Sequence, residues 1–224
     1  MKEVNFLKYC PILFTFLVLN GCLSGSRPDV KLSPKIDDRV HQLSPLHNTV
    51  GIYIDPALRN YVQKEQLIHY NIGIHNYTFP IGQSLAPKIE DMSKLVFNKV
   101  IVLDNLQGNI EPLDGIVTFS MKSSEIELQI EESVWRAIGR HKLSVITTFL
   151  DTNTNKIWES DVAVEGKGID FVSSRVEYEW WVTAGPKFAP AVDDAIEKIT
   201  YALAQKLTTS KEIIDYLHKR DNQN

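Results

Sequence analysis

The stretch Ile116-Val-Thr-Phe-Ser-Met121, followed by Glu125-Ile-Glu-Leu-Gln-Ile130, decides the fold. In its second half Ile126, Leu128 and Ile130 fall on one face, and Glu125, Glu127 and Gln129 on the other. A side-chain period of two with one dry and one wet face belongs to an antiparallel sheet, not to a parallel sheet covered on both sides. Further on, the β-rich runs Lys142–Asp151 and Lys156–Glu165 are separated by the polar Thr152-Asn-Thr-Asn155, a hairpin signature. The central third therefore reads as an antiparallel meander.

Working outward, Thr49–Ile54 is a short strand closed by Asp55-Pro56. Leu67–His75 predicts a second strand, with Ile68, Tyr70, Ile72 and Ile74 on one face and His69, Asn71, Gly73 and His75 on a solvent-leaning face. Ser84 is positioned to cap a helix whose apolar stripe is Leu85, Ile89, Met92 and Val96. Val100–Leu103 is a compact buried strand. After Gly166-Lys-Gly168, read as a turn, the pattern lapses until Phe188, Val192, Ala195, Ile199, Leu203 and Leu207 form the stripe of a closing helix. Thr209-Ser-Lys-Glu212 has capping-box spacing and opens a short helical coda. The expected fold class is α+β, a mostly antiparallel sheet with helices packed on one face. One domain spans 49–208, with a short C-terminal helix and tail over 209–224.

The N-terminus reads as an address. Lys2 and Lys8 precede the apolar run Ile12–Leu19, which is too short for the ~20 residues that span a bilayer but suits a signal peptide. Leu19-Asn20-Gly21-Cys22 then resembles the lipobox of bacterial lipoproteins. That resemblance implies cleavage after residue 21 and a covalent lipid on Cys22. The absence of Asp after the cysteine, where Leu23 stands, implies the outer membrane, facing the periplasm. Residues 22–48, punctuated by Pro28, Pro34 and Pro45, read as a lipidated N-terminus and flexible, disordered tether, the alternative being that part of it packs on the domain edge. About 25 such residues reach on the order of 25–30 Å. Loss of Lys2, Glu3 and Lys8 leaves the mature chain slightly more acidic, so the domain is expected to stand off an anionic surface.

The chain has 224 residues, 24 basic and 28 acidic, for a net charge of −4, with no basic run of the kind a nucleic-acid binder carries. Its two cysteines, Cys10 and Cys22, both lie at the N-terminus, so the domain offers no thiolate for catalysis or metal binding. His69 and His75, six apart on one strand, would lie about 20 Å from each other, and no zinc-type spacing occurs among the six histidines. Glu125 and Glu127 share a strand face at about 6.6 Å along the chain, but a hydrated face calls for charged residues in any case. No Gly-x-Ser-x-Gly, Gly-x-Gly-x-x-Gly or Walker A pattern is present. These readings assign no catalytic residue, no metal and no cofactor beyond the lipid on Cys22.

The least ordinary stretch is Arg175-Val-Glu-Tyr-Glu-Trp-Trp-Val-Thr-Ala-Gly-Pro186. Its aromatics are either core plugs under the last helix or a contact surface. Strand-like alternation puts Trp181 inside and leaves Tyr178 and Trp180 as contacts, with Arg175, Glu177 and Glu179 as the polar rim.

The hairpin Asp151-Thr-Asn-Thr-Asn-Lys-Ile-Trp-Glu159, the trailing Glu165-Gly-Lys-Gly168 and the Ala-rich final helix resemble a group of small envelope α/β lipoproteins. That group includes the curli-secretion lipoprotein and the lipoprotein activators of penicillin-binding proteins. The resemblance covers 49–208 in element order and implies a partner-binding or envelope-assembly role. The expected function is thus a non-enzymatic, lipid-anchored envelope protein with a protein partner and the membrane as its neighbours. The alternative is an envelope enzyme or ligand carrier acting on peptidoglycan, polysaccharide or lipid. A polar cleft gathering two or more of Glu125, Glu127, Asp161 and His141 would favour that alternative, and a flat patch at Tyr178 and Trp180 would favour partner binding.

Overall fold

Val50, Ile52 and Ile54 are buried in β1 (Leu46–Ile54), and Gly51 between them is buried as well, so this strand is covered on both faces. The computed structural model describes residues 29–69, 73–106, 113–131, 136–171 and 180–221. β1 is flanked by two parallel neighbours, β4 (Phe97–Val102) and β5 (Gly115–Glu131). Parallel pairing needs a crossover. The chain makes it through the short helix α1 (Pro56–Arg59), the hairpin β2 (Gln63–His69) and β3 (Gly73–Phe79), and helix α2 (Ile81–Val96). Asp55 caps α1, accepting from Ala57 N–H at 2.7 Å, with Pro56 in the first helical position where its missing donor costs nothing. α2 begins at Ile81, ahead of Ser84, and has no side-chain cap. Its stripe Leu85, Ile89, Met92 and Val96 is buried as the spacing requires.

β5, β6 (Arg136–Leu150) and β7 (Lys156–Phe171) form the expected meander and complete a sheet of order β4-β1-β5-β6-β7. β5 is one 17-residue strand where the sequence suggested two runs. Lys122-Ser-Ser124 contains nothing that reverses a chain; the register instead slips between Met121 and Ser123, and this bulge shifts the phase of the buried face. Beyond it Ile126 and Ile130 are buried while Glu125, Glu127 and Gln129 are exposed. The β6–β7 turn is built by Asp151, whose Oδ1 accepts from the backbone N–H of Asn153 and Asn155, both at 2.8 Å.

One face of the sheet carries α2, the β2–β3 hairpin and the 30-residue helix α3 (Trp180–Thr209). α3 starts eight residues before Phe188, and Pro186 and Pro190 lie within it instead of breaking the chain before it. Gly166 and Gly168 are not a turn but lie inside β7. A Cβ on either would overlap the backbone of α3 at Ala191, so these glycines let the helix rest on the strand. α4 (Lys211–Asp221) is capped by Ser210 rather than Thr209, with Ser210 Oγ accepting from Ile213 N–H at 3.3 Å.

The expected tether is shortened from its C-terminal side. Val30 and Val40 are 3% and 2% exposed, and Leu32, Ile36 and Leu43 pack against the same core. Isolated apolar residues between prolines carry no period, yet these join the domain core. Backbone N–H groups of Ser33 and Lys35 donate to Asp193 Oδ1 and Glu197 Oε1, each at 2.9 Å, and the Arg39 guanidinium stacks 4.0 Å from the Tyr201 ring centroid. Asp37 caps a 3-10 turn at Asp38–Gln42 and pairs with Arg39. The signal peptide, Cys22 and the rest of the expected tether lie outside the described residues.

Candidate functional site

The sheet's period of two sends the chemistry-bearing residues of the meander to opposite faces. On the solvent face, Glu125, Lys142 and Glu165 stand side by side in register across three strands, and the next row is Glu127, Arg140 and Lys167. Together with Ser123, Ser144 and Ala163, the first row lines an open concavity of about 350 Å³. Lys142 Nζ lies 3.8 Å from Glu127 Oε1, and Lys122 pairs with Asp161. That ammonium, aided by Ser144 Oγ donating at 2.6 Å, holds the Asp161 carboxyl below its usual range. Near the C-terminal end of β7 on this face, Ile169 is 58% exposed, in register with Ile138 and Gln129.

On the covered face, His141 is 0% exposed and its Nε2 lies 2.8 Å from Ser124 Oγ. Ser124 Oγ donates in turn to Gln63 Oε1 on β2, and Gln63 Nε2 donates to Glu65 Oε1 at 2.5 Å. This chain of polar groups ties the hairpin to the sheet. Burial pushes the imidazole down to about 4, so it is neutral at ordinary pH. Among the described residues, His141 Nδ1 is buried without a hydrogen-bond partner. A serine beside a histidine suggests a nucleophile and base, but here no carboxylate orients Nδ1 and Gln63 occupies the hydroxyl. Sequence reading missed this cluster because only strand register brings residues 124 and 141 together.

Of the residues singled out from sequence, Glu125, Glu127 and Asp161 lie on the solvent face and His141 on the covered one, so the sheet separates them. His69 and His75 are not on one strand: His69 pairs with Gly73 and His75 with Leu67 across the hairpin. Their backbones are diagonal neighbours of about 7–8 Å, not about 20 Å apart. The face assignment is also reversed, for Leu67 is buried and Ile68 is 70% exposed. No group of three or more His, Cys, Asp or Glu side chains is placed to hold a metal among the described residues. Among those residues no helix is long and apolar enough to cross a membrane. Arg175, Glu177, Tyr178 and Glu179 lie outside the described residues. Trp180 is the first residue of α3, so it and Trp181 follow a helical backbone rather than the expected alternation.

The fold so defined is a mixed α+β domain, a five-stranded sheet with its helices on one face. No protein-family model and no curated relative matches the sequence. Among solved structures, a Helicobacter pylori protein described as a neuraminyllactose-binding hemagglutinin homolog is similar at 10% identity and a TM-score of 0.41, covering 88% of this chain and 100% of its own. A minor lipoprotein from Acinetobacter baumannii is similar at 7% identity and a TM-score of 0.40, over 74% of this chain and 93% of its own. A Caulobacter crescentus CB15 protein described as a lipoprotein is similar at 14% identity and a TM-score of 0.32, over 64% of this chain and 85% of its own.

Proposed function

We propose that the chain is a lipid-anchored protein of the cell envelope, acylated at Cys22 and held at the outer membrane facing the periplasm, whose work is to bind an envelope protein partner rather than to catalyse a reaction. Leu19-Asn20-Gly21-Cys22 after an apolar run supports the location. Two or three acyl chains hold a protein stably where one holds it only marginally.

Ile169 supports the role. It is a large exposed apolar side chain, in register with Ile138 and Gln129 and next to the charged row Glu127, Arg140 and Lys167, and an apolar spot with a polar surround is the usual anatomy of a docking patch. Two residues further on, β7 ends at Phe171, and the chain continues through Arg175, Glu177, Tyr178 and Glu179 to Trp180. We assign this end of the meander as the contact surface.

Two measurements test the reading. Cys22→Ala should abolish incorporation of labelled palmitate and move the protein out of the membrane fraction; undiminished labelling refutes the anchor. Ile169→Asp and the pair Tyr178→Ala/Trp180→Ala should each lower recovery of crosslinked envelope proteins from intact cells with the melting temperature held. Unchanged recovery refutes the contact surface.

A further inference from the structure

The packed N-terminal segment limits how far the domain can stand from its anchor. Seven residue steps separate Cys22 from Asp29, the first described residue, and a fully extended chain of that length spans at most about 25 Å. Val30 N–H donates to Thr78 O on β3 at 2.8 Å, so the chain meets the domain beside the β2–β3 hairpin. A domain of this size is roughly 40–45 Å across, judged from its expected radius of gyration. The bilayer that holds Cys22 is therefore confined to the hairpin's side of the molecule.

That hairpin presents apolar surface outward. Among the described residues, four large hydrophobics are exposed, and two of them, Ile68 at 70% and Val62 at 41%, belong to β2 or directly precede it. The register sets Ile74 opposite Ile68 and the Gln66–Asn76 side-chain pair one step nearer the base. Lys64 is the one formally charged residue at the outward positions of the two strands. The positions that alternate with these, Leu67, Tyr77 and Phe79, are buried against the core.

We propose that the outer face of the β2–β3 hairpin rests on the surface of the same bilayer that holds the Cys22 acyl chains, with Ile68 entering the headgroup boundary and Lys64 meeting anionic phosphate. The proposal rests on the reading that Cys22 is lipidated. A second copy of the chain is a poorer occupant. Seven-residue strands give a face of roughly 24 by 10 Å, well short of the ~800 Å² per partner of a stable interface. A bilayer contact needs no such area, because the anchor already supplies a high effective concentration.

The experiment uses the full mature lipoprotein. Cleavage after residue 21 removes Cys10 and acylation occupies Cys22, so a cysteine introduced elsewhere is the sole free thiol. Ile68→Cys and, as reference, Ile169→Cys on the opposite face of the sheet are labelled with an environment-sensitive fluorophore. Each is then reconstituted into phosphatidylglycerol/phosphatidylethanolamine vesicles containing a headgroup-level nitroxide lipid. The expected result is severalfold stronger quenching at position 68 than at 169. Equal quenching at both, with the protein still floating with the vesicles, overturns the docking proposal and leaves the anchor standing. An emission shift at position 68 that depends on protein density in vesicles without nitroxide also overturns it, in favour of a second copy. If the unsubstituted protein takes up the thiol reagent and stays in the supernatant, the Cys22 reading fails and the docking proposal falls with it.

Discussion

Ser33 donates its backbone N–H to the Asp193 carboxylate at 2.9 Å across 160 residues of chain, and two residues later Lys35 does the same to Glu197, one helical turn on. Asp193 is partly buried; burial raises its pKa and so does the neighbouring Glu197, while the Ser33 bond opposes both. The two carboxylates repel each other and share a remedy in the segment laid over them.

Removing both acceptors should release that segment. Asp193→Ala with Glu197→Ala is expected to expose the amides of Ser33 and Lys35 to hydrogen exchange and to cost about 1–2 kcal/mol, because both bonds are charge-assisted but partly hydrated. Asp193→Asn keeps an acceptor and removes the like-charge repulsion, so its stability should stay within about 0.5 kcal/mol of the parent. Exchange at Ser33 and Lys35 that is the same in the double variant and the parent would show that the bonds do not hold the strap.

Gly166→Ala tests the contact between sheet and helix. The added Cβ would overlap the backbone at Ala191 and Ala195 of α3, which cannot move aside as a flexible side chain would. Overpacking of this kind costs typically 1–3 kcal/mol, and a backbone obstacle puts the expected loss at the upper end of that range. Ala195→Gly in the same chain should recover little of it, since most of the obstruction is main chain. A urea melt of the single and double variants measures both, and a Gly166→Ala midpoint matching the parent would mean that the helix is free to lift.

The meander, the stripes of α2 and α3 and the β6–β7 hairpin were legible because each is a local pattern: period two, period 3.6, and a polar turn between two β-rich runs; the Asp151 carboxylate that builds that turn was not. What was not legible depends on contacts between distant residues. The segment around Val30 and Val40 has no period of its own, and the carboxylates that hold its backbone are about 160 residues away. Leu67–His75 alternates like a single strand, yet Gly73 resumes the chain antiparallel to β2 and the burial phase is opposite to the one its isoleucines suggested. Gly166 and Gly168 look like a turn until the helix above them is placed. His141 and Ser124 meet only through the register that the bulge after Met121 sets.

His141 should make stability depend on pH. Its folded-state pKa, about 4, lies below the ordinary 6.5, so between those values the unfolded chain binds the extra proton and stability rises with pH. The contribution is full above about pH 6.5 and is lost as pH falls toward 4, a drop on the order of 3 kcal/mol. Asp193, whose pKa burial raises, acts in the opposite sense, its contribution being lost as pH rises through that raised value. His141→Leu should flatten the dependence of melting temperature on pH between about 4 and 6.5 while Gln63 keeps its bond to Ser124. A slope retained in that variant would assign the acid sensitivity to other groups.

Lys142 offers a test of the solvent face that separates charge from packing. It stands in register between Glu125 and Glu165, with its ammonium 3.8 Å from Glu127, and its side chain is about half exposed. A pair so hydrated contributes little, and Lys142→Ala should shift stability by less than about 0.5 kcal/mol. Lys142→Glu is different, because it sets three carboxylates abreast on adjacent strands, and like charges directly opposite one another in a sheet destabilise it by roughly 0.2–1 kcal/mol per pair. Screening at 1 M salt, where the Debye length is about 3 Å, should remove most of that penalty. Melts at low and high salt therefore distinguish the two variants. A Lys142→Glu defect that persists at 1 M salt would mean that the lysine stem covers apolar surface on this face and that its loss is one of packing.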